Sequence, residues 1–302
     1  MSTYVISGAT GMIGRTLAAY LLERGDRVLA LVRPDSGRTA GLPRHQNFRL
    51  IGCDMAGYAT FTPDERADAF FHLAWAKTAG AGRDDAAAQW QNVRYALDAV
   101  ELAERFGCTK FVGAGSQAEY GPVDAPLTAD TPVHPESGYG IAKYAAGKLT
   151  ALLCRQRGLA HCWVRILSIY GEGDGENTLI SYLIRALQNG ETPELTPCEQ
   201  IWDYLYAGDA AAALAAIADR GRDGAVYPLG SGQGRPLCDY VKTLRDCVAP
   251  GARVAFGARP YYPHQPMYLT ADIGALTADT GFTPHVSFAE GIRRILAAQK
   301  EE

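Results

Sequence analysis

A glycine-rich turn near the N-terminus constrains the fold more than any other feature of this chain. Residues 8–14 read Gly-Ala-Thr-Gly-Met-Ile-Gly, after a β-type run at residues 4–6 and before a helical pattern at residues 16–24. Glycines let the backbone approach a pyrophosphate, and the helix N-terminus offers free N–H groups to phosphates. The context predicts a dinucleotide-binding turn rather than a plain tight turn. The predicted cofactor contacts here are Gly8, Gly11, Met12, Ile13 and Gly14.

The alternation of short apolar runs with helical periodicity predicts the fold class. Strands are predicted over residues 4–6, 28–32, 48–51, 69–73, 110–112 and 162–166, and helices over residues 16–24, 90–105 and 139–155. Such alternation is typical of an α/β fold with a doubly wound parallel sheet, of the Rossmann type. The pattern loosens after residue 170. We therefore expect a dinucleotide-binding domain over residues 1–170, with segments returning to it near 200–230, and a smaller, mainly substrate-binding region over residues 171–302.

Composition excludes several classes of protein. The 302 residues are 47% hydrophobic and 21% charged, which is typical of a folded chain, and the net charge of −4 argues against nucleic-acid binding. The longest apolar run has nine residues (210–218), whereas a membrane span needs about 20. No leader is visible, and seven scattered cysteines favour buried thiols of a cytoplasmic protein. The histidines share no metal-ligand spacing, so no metal is expected; those considered were His134, His161, His264 and His285.

The end of the second strand bears on the choice between nicotinamide cofactors. An acidic residue there binds the ribose 2′-hydroxyl of NAD. Here the strand ends Leu31-Val32-Arg33, and the guanidinium of Arg33 can pair with the 2′-phosphate of NADP, with Arg38 assisting. The sequence thus favours NADP, with NAD as the alternative. A solvated surface arginine is the other interpretation of Arg33.

A serine, a tyrosine and a lysine form the candidate catalytic group. Tyr139 and Lys143 lie four residues apart in a helical segment, so both side chains share one face. A nearby ammonium favours the phenolate and is expected to lower the pKa of Tyr139. Ser116 follows the strand at residues 110–112, and its hydroxyl can hydrogen-bond the same substrate oxygen.

Together these motifs resemble one family over nearly the whole chain. The glycine turn and Tyr-x-x-x-Lys, as a set, resemble the extended short-chain dehydrogenases/reductases of the nucleotide-sugar epimerase/dehydratase group. Less specific matches to segments of the family are Phe71-His72-Leu73-Ala74, Gln91-Asn92-Val93, the serine-to-Tyr-Gly segment 116–121, the start of the catalytic helix at 134–143, and segments 165–171, 203–209 and 281–284.

The resemblance implies hydride transfer at a sugar carbon and further site residues. It implies cofactor contacts at Asp54, Met55, Leu73, Ala74, Lys77, Asn92, Lys143 and Leu167, in addition to Arg33 and the glycine turn. It implies substrate contacts at Lys77, Ser116, Tyr139 and Asn177.

Departures from the family pattern narrow the reaction. Dehydratases of the group carry an acidic pair just after the catalytic hydroxyl residue, where this chain has Gln117 and Ala118. Strand-like alternation is expected to turn the nearby Glu119 elsewhere. Trp202 replaces an arginine that grips the diphosphate, and Arg259 is expected to supply that charge instead. The bulk of Trp75 is expected to reshape the sugar pocket.

The leading functional hypothesis is an NADPH-dependent reductase of a nucleotide-linked 4-keto sugar. A nucleotide-sugar 4-epimerase uses the same three residues and is the main alternative. A reductase of a non-sugar carbonyl and a non-catalytic, cofactor-sensing regulator are further alternatives. The presence of both Tyr139 and Lys143 speaks against the regulator.

Two further sets of residues have a structural interpretation as well as a functional one. His72 lies in an apolar strand and is expected to be a core histidine rather than a proton shuttle. A set of aromatic residues either stacks on a nucleotide base or packs in the core: Trp202, Tyr204, Tyr206, Tyr261 and Tyr262.

The helices at residues 90–105 and 139–155 predict a homodimer. Both carry more apolar and small residues than one sheet face needs, and two such helices from each subunit form a four-helix bundle about a two-fold axis. The residues assigned to this interface are Ala96, Val100, Ala103, Ala145, Leu149, Leu152 and Leu153. A monomer in which these residues all face the sheet is the alternative.

Overall fold

The computed structural model describes residues 1–262 and 265–300; His264 therefore lies outside the described residues. Strands and helices alternate through the first half, as the hydrophobic pattern predicts. They are β1 (Thr3–Ser7), α1 (Met12–Glu23), β2 (Arg27–Val32), β3 (Phe48–Gly52), β4 (Ala69–His72), α2 (Ala86–Arg105), β5 (Lys110–Ser116), α3 (Gly138–Arg157) and β6 (Ala160–Ile166).

The second half has shorter strands and more irregular connections. Its elements are β7 (Ser168–Tyr170), α4 (Leu179–Gln188), β8 (Ile201–Trp202), β9 (Tyr204–Tyr206), α5 (Ala207–Arg220), β10 (Val226–Leu229), β11 (Arg235–Pro236), α6 (Leu237–Val248), β12 (Tyr268–Leu269), α7 (Gly274–Thr280) and α8 (Phe288–Ala298). Short 3-10 helices lie at Met55–Gly57, Gly80–Asp84 and Gln117–Glu119.

One parallel sheet of seven strands organises the molecule. Its strand order is β10-β6-β5-β4-β1-β2-β3, and every pairing in it is parallel. The predicted doubly wound α/β fold is therefore confirmed. The strand order reverses at β1, where Ser7 pairs with Leu31 of β2 on one side and with His72 of β4 on the other. Ligands of such folds bind outside the carboxyl ends of the strands at this switch point.

Helices cover both faces of the sheet. Alternate residues of β2 enter different cores: Val28 and Ala30 pack with α1 and α5, whereas Leu29 and Leu31 pack with α2. A strand buried on both faces is continuously apolar, which explains the unbroken run that the sequence shows. From the second half of the chain, β10 joins the edge of this sheet and α5 packs against α1.

Three glycines bring α3 unusually close to the sheet. A Cβ on Gly113 or Gly115 of β5, or on Gly147 of α3, would lie 2.4–2.8 Å from the indole of Trp163. Trp163, on β6, is buried in the space that these glycines leave free. Because Lys143 lies one helical turn before Gly147, this close approach also places the start of α3 against the end of β5.

The second half packs around a core of its own. Residues of α4, α6 and α8 surround aromatic side chains of β7 and β9; Tyr204 contacts the rings of Tyr170, Tyr240 and Phe288. Two acids of the segment at residues 203–209 serve this packing. The buried Asp203 accepts hydrogen bonds from backbone N–H groups of residues 231, 232 and 271, and Asp209 accepts from those of residues 285 and 286.

The prediction that three residues of α2 lie at a dimer interface is wrong. Ala96, Val100 and Ala103 are completely buried within the chain, because α2 turns this face toward the sheet and α3. The large apolar side chains that α2 and α3 leave exposed are instead Trp90, Ile141, Leu149 and Leu152, of which only the last two belong to the predicted set.

Candidate active site

The glycine turn leaves no room for side chains where it meets the sheet. Gly8 has a φ of +77°, and a Cβ there would lie 2.7 Å from the backbone nitrogen of Ala74. A Cβ on Gly14 would lie 2.3 Å from the carbonyl oxygen of Gly8. Gly11 precedes α1 with no side chain to cap the helix, so the helix N-terminus is open to an anion. This glycine cradle fits the pyrophosphate of a dinucleotide.

The other predicted cofactor residues lie along the same edge of the sheet. Arg33 follows β2 directly and is exposed, as binding of a 2′-phosphate requires. Asp54 follows β3, and its carboxylate caps a 3-10 helix by accepting from the Gly57 N–H (2.9 Å). The remaining positions are Met12 and Ile13 on the first turn of α1, Met55 beside Asp54, Leu73 and Ala74 after β4, and Leu167 after β6.

Ser116, Tyr139 and Lys143 are brought together where β5 ends and α3 begins. Tyr139 and Lys143 share a face of α3, and the Lys143 Nζ lies 5.7 Å from the centre of the Tyr139 ring. Burial raises the pKa of Tyr139; the hydroxyl of Ser116 and the guanidinium of Arg83 oppose this shift only in part. The expected lowering by Lys143 is therefore not seen, and the phenol is protonated at neutral pH.

Lys143 is held away from the phenol by two other contacts. Its Nζ donates to the carbonyl oxygen of Ala114 (2.6 Å) and lies 3.8 Å from the centre of the Trp75 ring. The side chain is buried. Burial lowers the pKa of Lys143 to about 7, against the opposing effect of the Glu119 carboxylate. Lys143 is thus poised to gain or lose a proton near neutrality.

The segment that follows β4, residues 76–85, forms a strap beside this group. Asn92 holds its start, since the amide accepts from the Ala76 N–H and donates to the Ala76 carbonyl (both 3.0 Å). Gln89 accepts from the Trp75 indole (2.9 Å) and donates to the carbonyl of Lys77 (3.0 Å). Asn92, predicted to contact the cofactor, is buried, and its amide bonds the backbone of Ala76. Lys77 is exposed and pairs with Asp85 at the N-terminus of α2.

The strap also contributes a cation that the sequence analysis missed. The guanidinium of Arg83 lies 4.4 Å from the centre of the Tyr139 ring and donates to the Thr78 carbonyl (3.3 Å). Next to it, the Asp84 carboxylate accepts from the N–H of Gly138, the first residue of α3 (2.9 Å). No sequence motif predicts this position of Arg83. The residue lies on a 3-10 helix, and the Tyr139 ring that it contacts is 56 residues further along the chain.

Glu119 is directed away from the substrate side, as expected, but into a buried ion pair. It is fully buried, and its Oε2 accepts from Nε of Arg165 at 2.8 Å. His72 is a core residue: its Nδ1 lies 3.0 Å from Oγ of Ser7, and burial lowers its pKa to about 3. Its ring is therefore neutral, which excludes a shuttle operating near pH 7.

A cleft of about 470 Å³ opens in the second half of the molecule. Its lining includes Asn177 and Arg259, both predicted to contact substrate, together with Trp202. The indole of Trp202 donates to Oγ of Ser168 (2.8 Å), and Arg259 lies 3.7 Å from Glu194 at the exposed rim. The cleft therefore offers amide and guanidinium donors beside an apolar wall.

The aromatic group divides between the two interpretations. Trp202, Tyr204 and Tyr262 all line the cleft, although Tyr204 also belongs to the second core. Tyr206 is buried and donates to Glu172 (2.7 Å). The Tyr261 hydroxyl accepts from the N–H of Glu199 (3.0 Å). Three of the five residues are thus placed to contact a ligand, and two are structural.

Across residues 1–262 and 265–300, no group of three or more His, Cys, Asp or Glu side chains is arranged to hold a metal ion. In the same part of the chain, every helix is too short or too polar to cross a membrane. All seven cysteines are free thiols, and five are buried.

The sequence model of one protein family matches residues 4–230, and its description is "NAD dependent epimerase/dehydratase family". The chain belongs to this family. The resemblance that the motifs indicated is thereby confirmed, and the protein is an enzyme of the epimerase/dehydratase family. The glycine cradle and the open N-terminus of α1 fit the nicotinamide dinucleotide that the family uses.

Two curated relatives in the epimerase/dehydratase group span nearly the whole chain. A UDP-glucose 4-epimerase from Streptomyces lividans is 24% identical, over 93% of this chain and 91% of the relative. A dTDP-6-deoxy-L-talose 4-dehydrogenase (NAD(P)(+)) from Kitasatospora kifunensis is 26% identical, over 97% of this chain and 94% of the relative.

A solved structure shows the same fold. The UDP-glucose 4-epimerase of Thermotoga maritima, with UDP-glucose, superposes with a TM-score of 0.87 and covers 99% of both chains at 22% identity. The superposition shows that the two proteins share one architecture.

Proposed function

We propose that this protein reduces a nucleotide-linked 4-keto sugar with NADPH. The observation that carries the proposal is the exposed Arg33 at the carboxyl end of β2, where NAD-binding folds place an acid. A net reduction consumes an exchangeable cofactor, which NADPH provides. An epimerase regenerates its cofactor in each cycle and has no such need.

The chain's own residues divide the work at the carbonyl group. Bound NADPH supplies the hydride. Tyr139 donates a proton to the developing alkoxide, and burial favours this role because it keeps the phenol protonated. The Ser116 hydroxyl holds the same oxygen. Lys143 would bind the nicotinamide ribose hydroxyls and would supply positive charge as the phenol loses its proton.

The substrate would extend from this group into the cleft. Asn177 and Arg259 line the cleft and are suited to bind a diphosphate, and the Trp202 and Tyr262 rings are suited to stack on a base. Gln117 and Ala118 stand where a dehydratase needs an acid and a base. Neither side chain transfers protons near neutral pH, which argues against dehydration.

A nucleotide-sugar 4-epimerase remains the second candidate. The name of the Streptomyces lividans relative favours it. In that reaction the same Tyr139 acts first as base and then as acid. The name of the Kitasatospora kifunensis relative, a 4-dehydrogenase that uses NAD(P)(+), favours a single hydride transfer at the 4-position.

Cofactor content and turnover distinguish the two reactions. The nucleotide released from purified, denatured protein is identified by chromatography, and the protein is then incubated with NADPH and a panel of UDP- and dTDP-linked 4-keto sugars. A reductase is isolated largely empty and oxidises NADPH in step with loss of the ketone. The opposite outcome is tightly retained NAD, interconversion of UDP-glucose and UDP-galactose, and no loss of NADPH. The protein would then be an epimerase and not a reductase.

We further propose a homodimer formed by α2 and α3. The side chains of Trp90, Ile141, Leu149 and Leu152 expose apolar surface on neighbouring helices. A groove of about 270 Å³ between the helices is lined by leucines of both. Two copies of this helix pair, packed about a two-fold axis, form a four-helix bundle that covers these side chains.

We also propose which part of the chain binds the cofactor, which part binds the substrate, and where in the cell the protein lies. Residues 1–170, with the segments near 200–230 that supply α5 and β10, would hold the cofactor, and residues 171–302 would mainly hold the substrate. Seven free thiols suit the reducing cytoplasm.

A further inference from the structure

A buried ion pair lies directly beneath the catalytic serine. Oε1 of Glu119 accepts from the backbone N–H of Ser116 (2.9 Å) and from the indole of Trp163 (2.9 Å). Its Oε2 accepts from Nε of Arg165 (2.8 Å). Space for the carboxylate exists because residue 115 is glycine: a Cβ there would lie 2.4 Å from Oε1 of Glu119.

Stability alone does not account for this pair. Glu119 and Arg165 are both almost completely buried, and removing two charges from water usually costs as much as their attraction returns. One guanidinium nitrogen, Nη1 of Arg165, has no hydrogen-bond partner within the described residues. The guanidinium stacks on the Tyr120 ring at 4.4 Å instead. The pair is therefore weak evidence of a stabilising role for this carboxylate.

The position of the carboxylate connects it to both ends of the catalytic group. Ser116 is fixed through its N–H, and two residues earlier the Ala114 carbonyl receives the Lys143 ammonium. The titratable and charged groups around Lys143 come from four elements: Tyr139 on its own helix, His72 on β4, Glu119 after β5, and Arg165 on β6, which pairs with Glu119. Because His72 and Tyr139 are neutral near pH 7, Glu119 is the anion among them.

We propose that Glu119 is a positioning residue of this active site, which fixes Ser116 and serves as the counter-charge that keeps the Lys143 ammonium protonated. The role in catalysis rests on the proposed function of Ser116, Tyr139 and Lys143. The role toward Lys143 concerns the protein itself and is testable without substrate.

The direction of the effect follows from the charges. Burial favours neutral Lys143, and the Glu119 charge works against burial, leaving the pKa of Lys143 at about 7. Replacing the carboxylate by an amide keeps the shape but removes the negative charge. Lys143 then loses its proton at a lower pH. The same change removes a negative charge that disfavours the Tyr139 phenolate, so the phenol also loses its proton at a lower pH.

The test is a titration of Lys143 by NMR in the ligand-free protein. The chain has six lysines, so labelling with 13Cε-lysine gives few signals, and Lys143→Met assigns the one of interest. In Glu119→Gln we expect the midpoint of Lys143 to fall by roughly one pH unit or more, the effect of losing a nearby opposite charge. Glu104→Gln, which neutralises a carboxylate on the outer side of α2, is the matched control and should leave the midpoint unchanged.

An unchanged Lys143 midpoint in folded Glu119→Gln would overturn the proposal. Glu119→Gln leaves Arg165 buried without its partner, so the variant is also combined with Arg165→Met, which removes both charges. The Arg165 charge opposes that of Glu119, so the midpoint should fall by less in the double variant than in Glu119→Gln alone. Glu119→Asp retains the charge and should keep the midpoint closer to that of the wild type.

The role of Glu119 in catalysis is then tested by steady-state kinetics. With the 4-keto sugar substrate, the alkaline limb of the kcat profile should move to lower pH in Glu119→Gln, by the shift that NMR measures. A purely structural role would lower the resistance to urea and leave the profile in place. If the wild type fails to reduce any 4-keto sugar, the proposed function fails while the NMR result still decides the role of Glu119 toward Lys143.

Discussion

Replacing Gly147 by alanine tests whether the slot for Trp163 positions α3. A Cβ at residue 147 would lie 2.8 Å from Nε1 and Cε2 of the indole, whereas atoms in contact lie about 3.5–4.0 Å apart. The ring cannot retreat, because its other side lies against the backbone of Gly113 and Gly115. The helix must move outward instead, and Lys143 moves with it.

The magnitude follows from two opposing effects. Overpacking a well-filled core costs about 1–3 kcal/mol. Alanine is better than glycine inside a helix by about 1 kcal/mol. Because the ring is confined on both sides, we expect the upper part of the range, and Gly147→Ala should lower the free energy of unfolding by about 1–2 kcal/mol. Activity should fall by up to about 100-fold, since displacements near 1 Å are this costly at catalytic groups.

The same substitution should have the opposite sign once the ring is removed. Trp163→Leu deletes Nε1 and Cε2 and by itself costs about 3 kcal/mol or more through the cavity that it leaves. In that background a methyl group at residue 147 meets open space, so Gly147→Ala should stabilise by about 1 kcal/mol through helix propensity. The coupling energy between the two sites should therefore be about 2–3 kcal/mol.

The free energy of unfolding is measured for the wild type, the two single variants and the double variant. Urea unfolding is followed by far-ultraviolet circular dichroism, since this signal does not depend on Trp163. Gly37→Ala serves as the control, because an exposed methyl group there would meet nothing within 4 Å. Equal destabilisation by Gly147→Ala with and without the Trp163 ring would refute the reasoning. The helix would then not be positioned by contact with the indole.

Three further predictions concern the site and the assembly. Tyr139→Phe should lower kcat by roughly 10²–10⁴-fold and leave NADPH affinity nearly intact; retention of more than half of the activity would remove Tyr139 from the mechanism. Arg33→Asp should shift the ratio of NADPH to NADH affinity toward NADH by about tenfold, the lower end for a charged hydrogen bond at an exposed site; an unchanged ratio in fluorescence titrations would leave Arg33 a surface residue. Glu at both Leu149 and Leu152 should convert a dimer to a folded monomer in sedimentation; a wild type that already sediments as a monomer at micromolar concentration would exclude the interface.

Features that depend on neighbours in the sequence were predictable. The glycine turn is one, because the conformation of Gly8 and the start of α1 are set by residues within a few positions. The four-residue spacing of Tyr139 and Lys143 is another, since a helix places such residues on one face regardless of what it packs against. The position of Arg33 follows in the same way from the apolar run that ends before it.

Features that depend on which surface an element buries were not predictable from spacing. The pattern of α2 showed Ala96, Val100 and Ala103 as apolar, but only packing against the sheet and α3 shows that the chain itself covers them. Asn92 likewise lies in a helical pattern, and only the strap crossing above it decides that its amide is used by the backbone of Ala76.

The protonation of the active site was decided by tertiary structure alone. From the sequence, Lys143 was expected to lower the pKa of Tyr139, since helical spacing brings them together. Burial instead raises the pKa of Tyr139 and lowers that of Lys143, whose ammonium turns to Ala114 and Trp75. Desolvation and a counter-charge such as Glu119 come from segments far apart in the chain, and their effect exists only once folding removes water between them.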